Sequence, residues 1–452
     1  MGRYIVAMAR GEKFGVVSTL LLWGVVLLAS EPSVTQAQDL DPQQVMATAR
    51  RAGLRVFEGQ HLVLVSDRPV APDDDLATLP AVFDAAFASW CRHYGMSPDD
   101  HAGWQAIGCL VVDTERFRAC GLLPPGIPAF DNGFCAGMRF WLMEQSNPAY
   151  RRHLLLHEGV HAFTLTLRRL NTPVWYAEGI AELLATHRLD NGTFQSTPIP
   201  LAADDVEQLG RIEAVRELRE QHLTPSLTDV FALAGSEHGR IRDYASSWAV
   251  TVFLAEHPRY RDAFRLAEAG PLDGRFNQRL HDTAGFDAEL ASRDFDAFTD
   301  DLDYGYDLAQ MAVDWSAGEP LQGVVQRTVD PSRGWQNTGV AVEQGAQVRF
   351  QTRGRSELGR LAGIEVDLTS EGQGITVDWY RGRPIGRLFL GQWIDEPGDG
   401  GRPRFERLAE GSTGSFVAAT TGPLFARIND SPTGRHDNGQ GLTLLLAPVQ
   451  AP

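Results

Sequence analysis

The stretch HLLLHEGVHAF, residues 153 to 163, constrains this chain more than any other, because it places charged and imidazole groups inside a continuous apolar run. Asn147 followed by Pro148 is a helix start, with Asn as the cap and Pro in the first turn, and apolar periodicity continues to about Arg169. His157 and His161 are therefore one turn apart on the same helical face and can direct both rings at one point, a spacing that suits zinc. Glu158 is displaced around the helix, where it can reach a water in an open coordination position rather than the ion.

A third ligand has to come from elsewhere. After the break NTP, Thr172 and Pro173 open a second helix, VWYAEGIAELLATH, running to the turn at Asp190–Gly192. Glu178 on that helix offers a carboxylate for a His, His, Glu set, and Glu182, one turn on, can accept the free ring N–H of a ligating histidine. The alternative is that both glutamates are solvated surface charges, which their apolar neighbours make costly. His153 and His187 read as surface or satisfied residues, His153 at most as a support to the ligands.

The chain is long enough for two or three domains, and its net charge of -17 with no basic run excludes a nucleic-acid surface. Arg3, Arg10 and Lys13 precede an apolar stretch from Phe14 to Ala29 and a small-residue segment, a signal-peptide pattern over residues 1–37 with cleavage after Ala37. The competing reading is an uncleaved membrane anchor, and in both the rest of the protein is exported to the periplasm, cell surface or exterior. Export favours two disulfides among Cys91, Cys109, Cys120 and Cys135, with three connectivities open and free thiols the alternative.

Strand-like runs (HLVLVS, AIGCLVVD, FCAGMRFWLM) alternate with a helical one before Asn147, an α+β start. Residues 200 to 316 read as mainly helical. Beyond about Glu319 glycine rises and short alternating segments (AQVRFQT, GIEVDL, ITVDWY, SFVAAT) predict an antiparallel β-sandwich, giving domains of 39–318 and 322–452.

HEGVH followed by W-Y-A-E-G-I-A-E resembles the gluzincin zinc peptidases, in particular an exported, poorly characterised bacterial group, over about residues 60 to 310. The resemblance implies a thermolysin-like zincin domain in which His157, His161 and Glu178 bind zinc, Glu158 is the general base, and Glu182 supports a ligand from behind. It also implies a peptide or protein substrate, and it makes Tyr244 in RDYASSWAVTVFL the candidate oxyanion donor, with His238 in reserve; a core tyrosine is the alternative. FCAGMRFWLM stands where such peptidases have an edge strand that takes extended substrate.

GPLFARINDSPTGRHDNGQGLTLLL is similar to the calcium-dependent galactose-binding bacterial lectins over residues 322 to 449. That similarity implies calcium held by Asp430, Asp437 and Asn438 with the carbonyls of Val342 and Gly434, and a glycan as a further partner; a plain Asp/Asn/Gly turn is the alternative.

Overall fold

The computed structural model describes residues 41–71, 74–206, 209–234, 240–360 and 366–449. The signal-peptide segment 1–37, His238 and Gly363–Glu365 of the expected strand GIEVDL lie outside them.

The first part is built on a mixed sheet of β1 (Arg55–Glu58), β2 (Leu62–Ser66), β3 (Ala106–Val111), β4 (Gly133–Ala136) and β5 (Arg139–Met143), in the order β1-β2-β3-β5-β4. β2, β3 and β5 run parallel, and the two outer strands are antiparallel to their neighbours. The inner strands alternate between two cores. Leu62, Leu64, Phe140 and Leu142 face the main helical layer, while Val63, Val65 and Trp141 face a smaller cluster under α1 (Pro42–Arg51) and α3 (Thr114–Ala119). A sheet covered on both faces explains why these strands read as unbroken apolar runs.

FCAGMRFWLM, expected to be one strand, is two. Gly137 adopts φ 62° and reverses the chain, so β4 pairs back on β5 as the sheet edge.

Above the sheet lie α2 (Leu79–His93), α4 (Pro148–Leu167) and α5 (Val174–Ala185). The Asn147 side chain accepts from the Tyr150 backbone N–H and caps α4, as the sequence predicts. The second helix, expected to include His187, ends at Ala185, and His187 opens β6 (His187–Asp190), which forms a hairpin with β7 (Thr193–Ser196) across the expected turn. The chain then runs through α6 (Arg211–Glu220), α7 (Leu227–Phe231), α8 (Ile241–Glu256), α9 (Arg261–Ala269), α10 (Phe276–Asp282), α11 (Ala288–Asp301) and α12 (Leu308–Met311).

From β8 (Glu319–Pro320) the chain is all β: β9 (Val325–Val329), β10 (Gln336–Val342), β11 (Gln347–Arg353), β12 (Ser356–Arg360), β13 (Asp367–Ser370), β14 (Gln373–Tyr380), β15 (Arg383–Ile394), β16 (Arg404–Glu410), β17 (Thr413–Val417), β18 (Gly422–Ile428) and β19 (Leu442–Pro448). One sheet has the order β14-β15-β18-β10-β8 with β16 on β15, the other β17-β11-β19-β9, and Val340, Phe350, Leu388, Leu424 and Leu444 fill the space between.

The β part docks on α11. Asp301 pairs with Arg427 at 2.9 Å and Arg381 at 2.7 Å, and Asp296 accepts two bonds from Arg402. Beside these ion pairs Ala297 and Val313 meet Trp393 and Phe425 in a separate aromatic cluster.

Four cysteines within a short span suggested bridges, but all are free thiols. The sheet separates them: Cys91 belongs to the main core and Cys135 packs against it, while Cys109 and Cys120 lie with the cluster on the opposite face.

α4 and α2 approach closely at Gly159, where a Cβ would overlap the Phe83 ring and stand 2.9 Å from Trp90 Cη2. Gly159→Ala gains about 1 kcal/mol of helix propensity but overpacks two rigid rings at a cost of about 1–3 kcal/mol. The expected outcome is a lower denaturant midpoint with an unchanged slope.

Candidate metal centre

α4 and α5 cross with their buried polar residues facing each other. Nε2 of His157 and Nε2 of His161 are 3.1 Å apart, and Glu178 Oε2 stands 3.4 Å from each. Donor atoms about 2.0–2.1 Å from one ion at tetrahedral angles are separated by about 3.3–3.4 Å, so this triangle has the size a zinc ion requires. All three residues are buried to within 2% exposure.

Glu158 is equally buried, and its Oε2 meets no hydrogen-bond partner among the described residues. An isolated carboxylate oxygen in such a place is costly unless a ligand or reacting group completes it. Burial raises the pKa of Glu158 above the usual carboxylate range; His157 and His161 pull it back, and Glu178 and Glu182 push it up again. The edge strand lies directly against this carboxyl group, since a Cβ on Gly133 would overlap Glu158 Oε1. α5 is held as tightly from the other side, where Gly179 packs against Thr251 and the Ser247 carbonyl of α8.

Glu182 lies behind the triangle. Its Oε1 is 3.3 Å from His157 Nδ1, and its Oε2 is 3.3 Å from His153 Nε2. Arg211 of α6 donates to both oxygens, Nη2 to Oε1 at 2.7 Å and Nε to Oε2 at 3.0 Å. Burial alone would raise the Glu182 carboxyl, but Arg211 and the two imidazoles hold it well below the usual range. Glu158, Glu178 and Glu182 contribute −3 and Arg211 contributes +1, leaving a formal −2 that a divalent cation neutralises. Donor set, spacing and charge all fit such an ion.

Tyr244, in the first turn of α8, is fully buried with its ring centroid 6.2 Å from that of His157. Burial and the charges of Glu178, Glu158 and Glu182 push its phenol well above its ordinary value, so it stays a proton donor. His187 is structural, accepting from Arg152 Nε at 2.8 Å while its Nδ1 meets the Ala185 carbonyl at 2.7 Å.

Sequence reasoning missed three neighbours. Arg211 and Tyr150 approach Glu182 and Glu158 from outside the motif, and Cys135 of β4 is close enough that Glu158 and Glu178 add to the effect of burial in raising its thiol. The dipeptide Ala136-Gly137 between apolar runs is the signal that could have found the hairpin that brings Cys135 there.

Of the groups expected to hold calcium, the Val342 carbonyl lies away from the others. Val342 pairs with Gly422, at the opposite end of β18 from Asp430, about 25 Å along the strand. Asp437 turns away to accept the Arg360 backbone N–H at 2.9 Å. Asp430 and Asn438 meet at 3.0 Å, with Gly434 packed against Asp430 and the guanidinium of Arg435 buried nearby. It donates to the carbonyls of Asp430 at 2.9 Å and Arg333 at 2.6 Å. Burial lowers Arg435 to about 10, which leaves it charged at neutral pH.

Residues 152–269 match the profile of a protein family of unknown function, DUF1570. The comparison with curated proteins finds no match. Among solved structures, an EclA N-terminal domain described as a PllA-like lectin is 18% identical, with 28% of this chain and 98% of that one covered and a TM-score of 0.20. The IMPa metallopeptidase in complex with T-antigen is 12% identical, with 90% of this chain and 44% of that one covered and a TM-score of 0.16. This chain thus spans less than half of that peptidase, and neither score supports an argument about fold.

Two solution tests follow from the geometry. Burial disfavours charge on His157, but its contacts with Glu178 and Glu182 outweigh that and raise its pKa above the ordinary 6.5. The ion pairs therefore contribute stability in the metal-free protein below pH 6.5 and lose it as pH climbs through the raised value. Metal requires the neutral ring, so loading at pH 7.5 expels about one proton per ion, measurable by calorimetry in two buffers of different ionisation enthalpy.

Proposed function

We propose that this protein is a zinc-dependent hydrolase of amide bonds, a gluzincin-like peptidase whose metal is held by His157, His161 and Glu178. The observation that carries this reading is the donor triangle of 3.1, 3.4 and 3.4 Å beside a buried, incompletely bonded Glu158. A zinc ion there would supply Lewis acidity toward a carbonyl and toward water.

The chain's own groups account for the remaining steps. Glu158, with its carboxyl raised by burial, is suited to take a proton from water and return it to the departing amine. Tyr244, kept protonated, donates a hydrogen bond to the oxygen that gains negative charge. Glu182 keeps the Nδ1 proton of His157 directed away from the metal-facing nitrogen. The β4 edge supplies free backbone groups beside Glu158 for an extended peptide. The export reading rests on residues 1–37, and a substrate outside the cytoplasm goes with it.

A second reading, a cell-surface or glycan-binding protein in which the metal only staples the helices, draws on the near-complete burial of the centre. Glu158→Gln separates the two. Under the hydrolase reading the variant keeps one zinc per chain by metal analysis and loses activity on a quenched peptide library by a hundredfold or more. Equal turnover in variant and parent removes the mechanism.

A further inference from the structure

The Glu182 carboxylate is surrounded by donors in a way that no metal-ligand argument requires. It faces two imidazoles on one side and a guanidinium on the other, and all four residues are buried. His153, His157 and Glu182 themselves converge closely enough to hold an ion, as a second group that shares His157 with the first. Two cation positions sharing one imidazole would compete for its orientation, and something must decide between them.

We infer that Arg211 makes this decision, as a positioning residue for the metal centre; the inference rests on the metal-centre reading above. Its fork engages both oxygens of Glu182 at 2.7 and 3.0 Å, which fixes the plane of the carboxylate. The fixed plane presents Oε1 to His157 Nδ1 at 3.3 Å and so directs the Nε2 lone pair at His161 and Glu178. The positive charge of Arg211 also neutralises the carboxylate that the His153, His157 and Glu182 group would otherwise offer to a cation. The same guanidinium lies over the Tyr244 ring, 5.5 Å from its centroid, so one side chain sets both a ligand and the candidate phenol. A lysine offers a point charge without the planar fork and cannot reproduce the two-oxygen contact.

The test uses the full-length protein, titrated with cobalt(II) and followed by its visible absorption, with zinc competition for affinity. The parent binds one equivalent with a four-coordinate spectrum. Arg211→Gln is expected to weaken binding by about 10- to 100-fold, to change band positions and intensity, and to take up a second, weaker equivalent. Arg211→Lys recovers part of the affinity and keeps the altered spectrum. Arg216→Ala, at a half-buried position on the same helix that pairs with Asp303, behaves as the parent. One equivalent bound by Arg211→Gln with the parent's affinity and spectrum overturns the inference. So does weakened binding with an unchanged spectrum, which marks a merely structural arginine. If Arg211→Gln does not fold, Arg211→Lys decides alone, and a spectrum identical to the parent's overturns the inference. A parent that binds cobalt but hydrolyses nothing removes only the hydrolase reading; a parent that binds no metal removes both.

Discussion

Burying carboxylates in an apolar layer is the constraint on which the first part of this molecule is organised. Glu158, Glu178 and Glu182 lie on two helices whose other buried residues are mostly apolar. Unpaired, each would be neutralised or would force the helices apart. The fold answers with two imidazoles, a guanidinium and a donor triangle that is complete only around a dication. The close helix contacts at Gly159 and Gly179 bring the polar faces together, so the packing and the chemistry arise from the same residues.

Much of this was legible in the sequence because the signals are local. Asn147 and Pro148 mark a helix start, and two histidines four apart on a helix share a face whatever surrounds them. Glu178 and Glu182 follow from the same periodicity on the next helix, and the change in texture near Glu319 marks where helices give way to strands. Arg211 was not legible. It opens RIEAVRELRE, which reads as a solvated helix, and only the packing of α6 over α8 buries its guanidinium. The sulfur atoms misled for a related reason: nearness in sequence says nothing about which side of a sheet a residue faces, and alternate positions on strands face opposite cores.

The expected calcium loop shows the limit of matching residue types. Asp430, Asn438 and Gly434 do gather, so the composition of the loop was informative. Yet Arg435, within the same stretch, satisfies the carbonyl oxygens from inside, and the strand register takes Val342 to the far end.

The docking of the β-sandwich on α11 has a mechanical consequence. Arg219 of α6 binds Asp300 of α11 and the Pro403 carbonyl of the sandwich, so the helix that begins with Arg211 ends clamped to the β part. Tension applied to the strands would load this clamp together with the Asp301 and Asp296 ion pairs. It would then reach the carboxylate behind His157 through a single helix of ten residues.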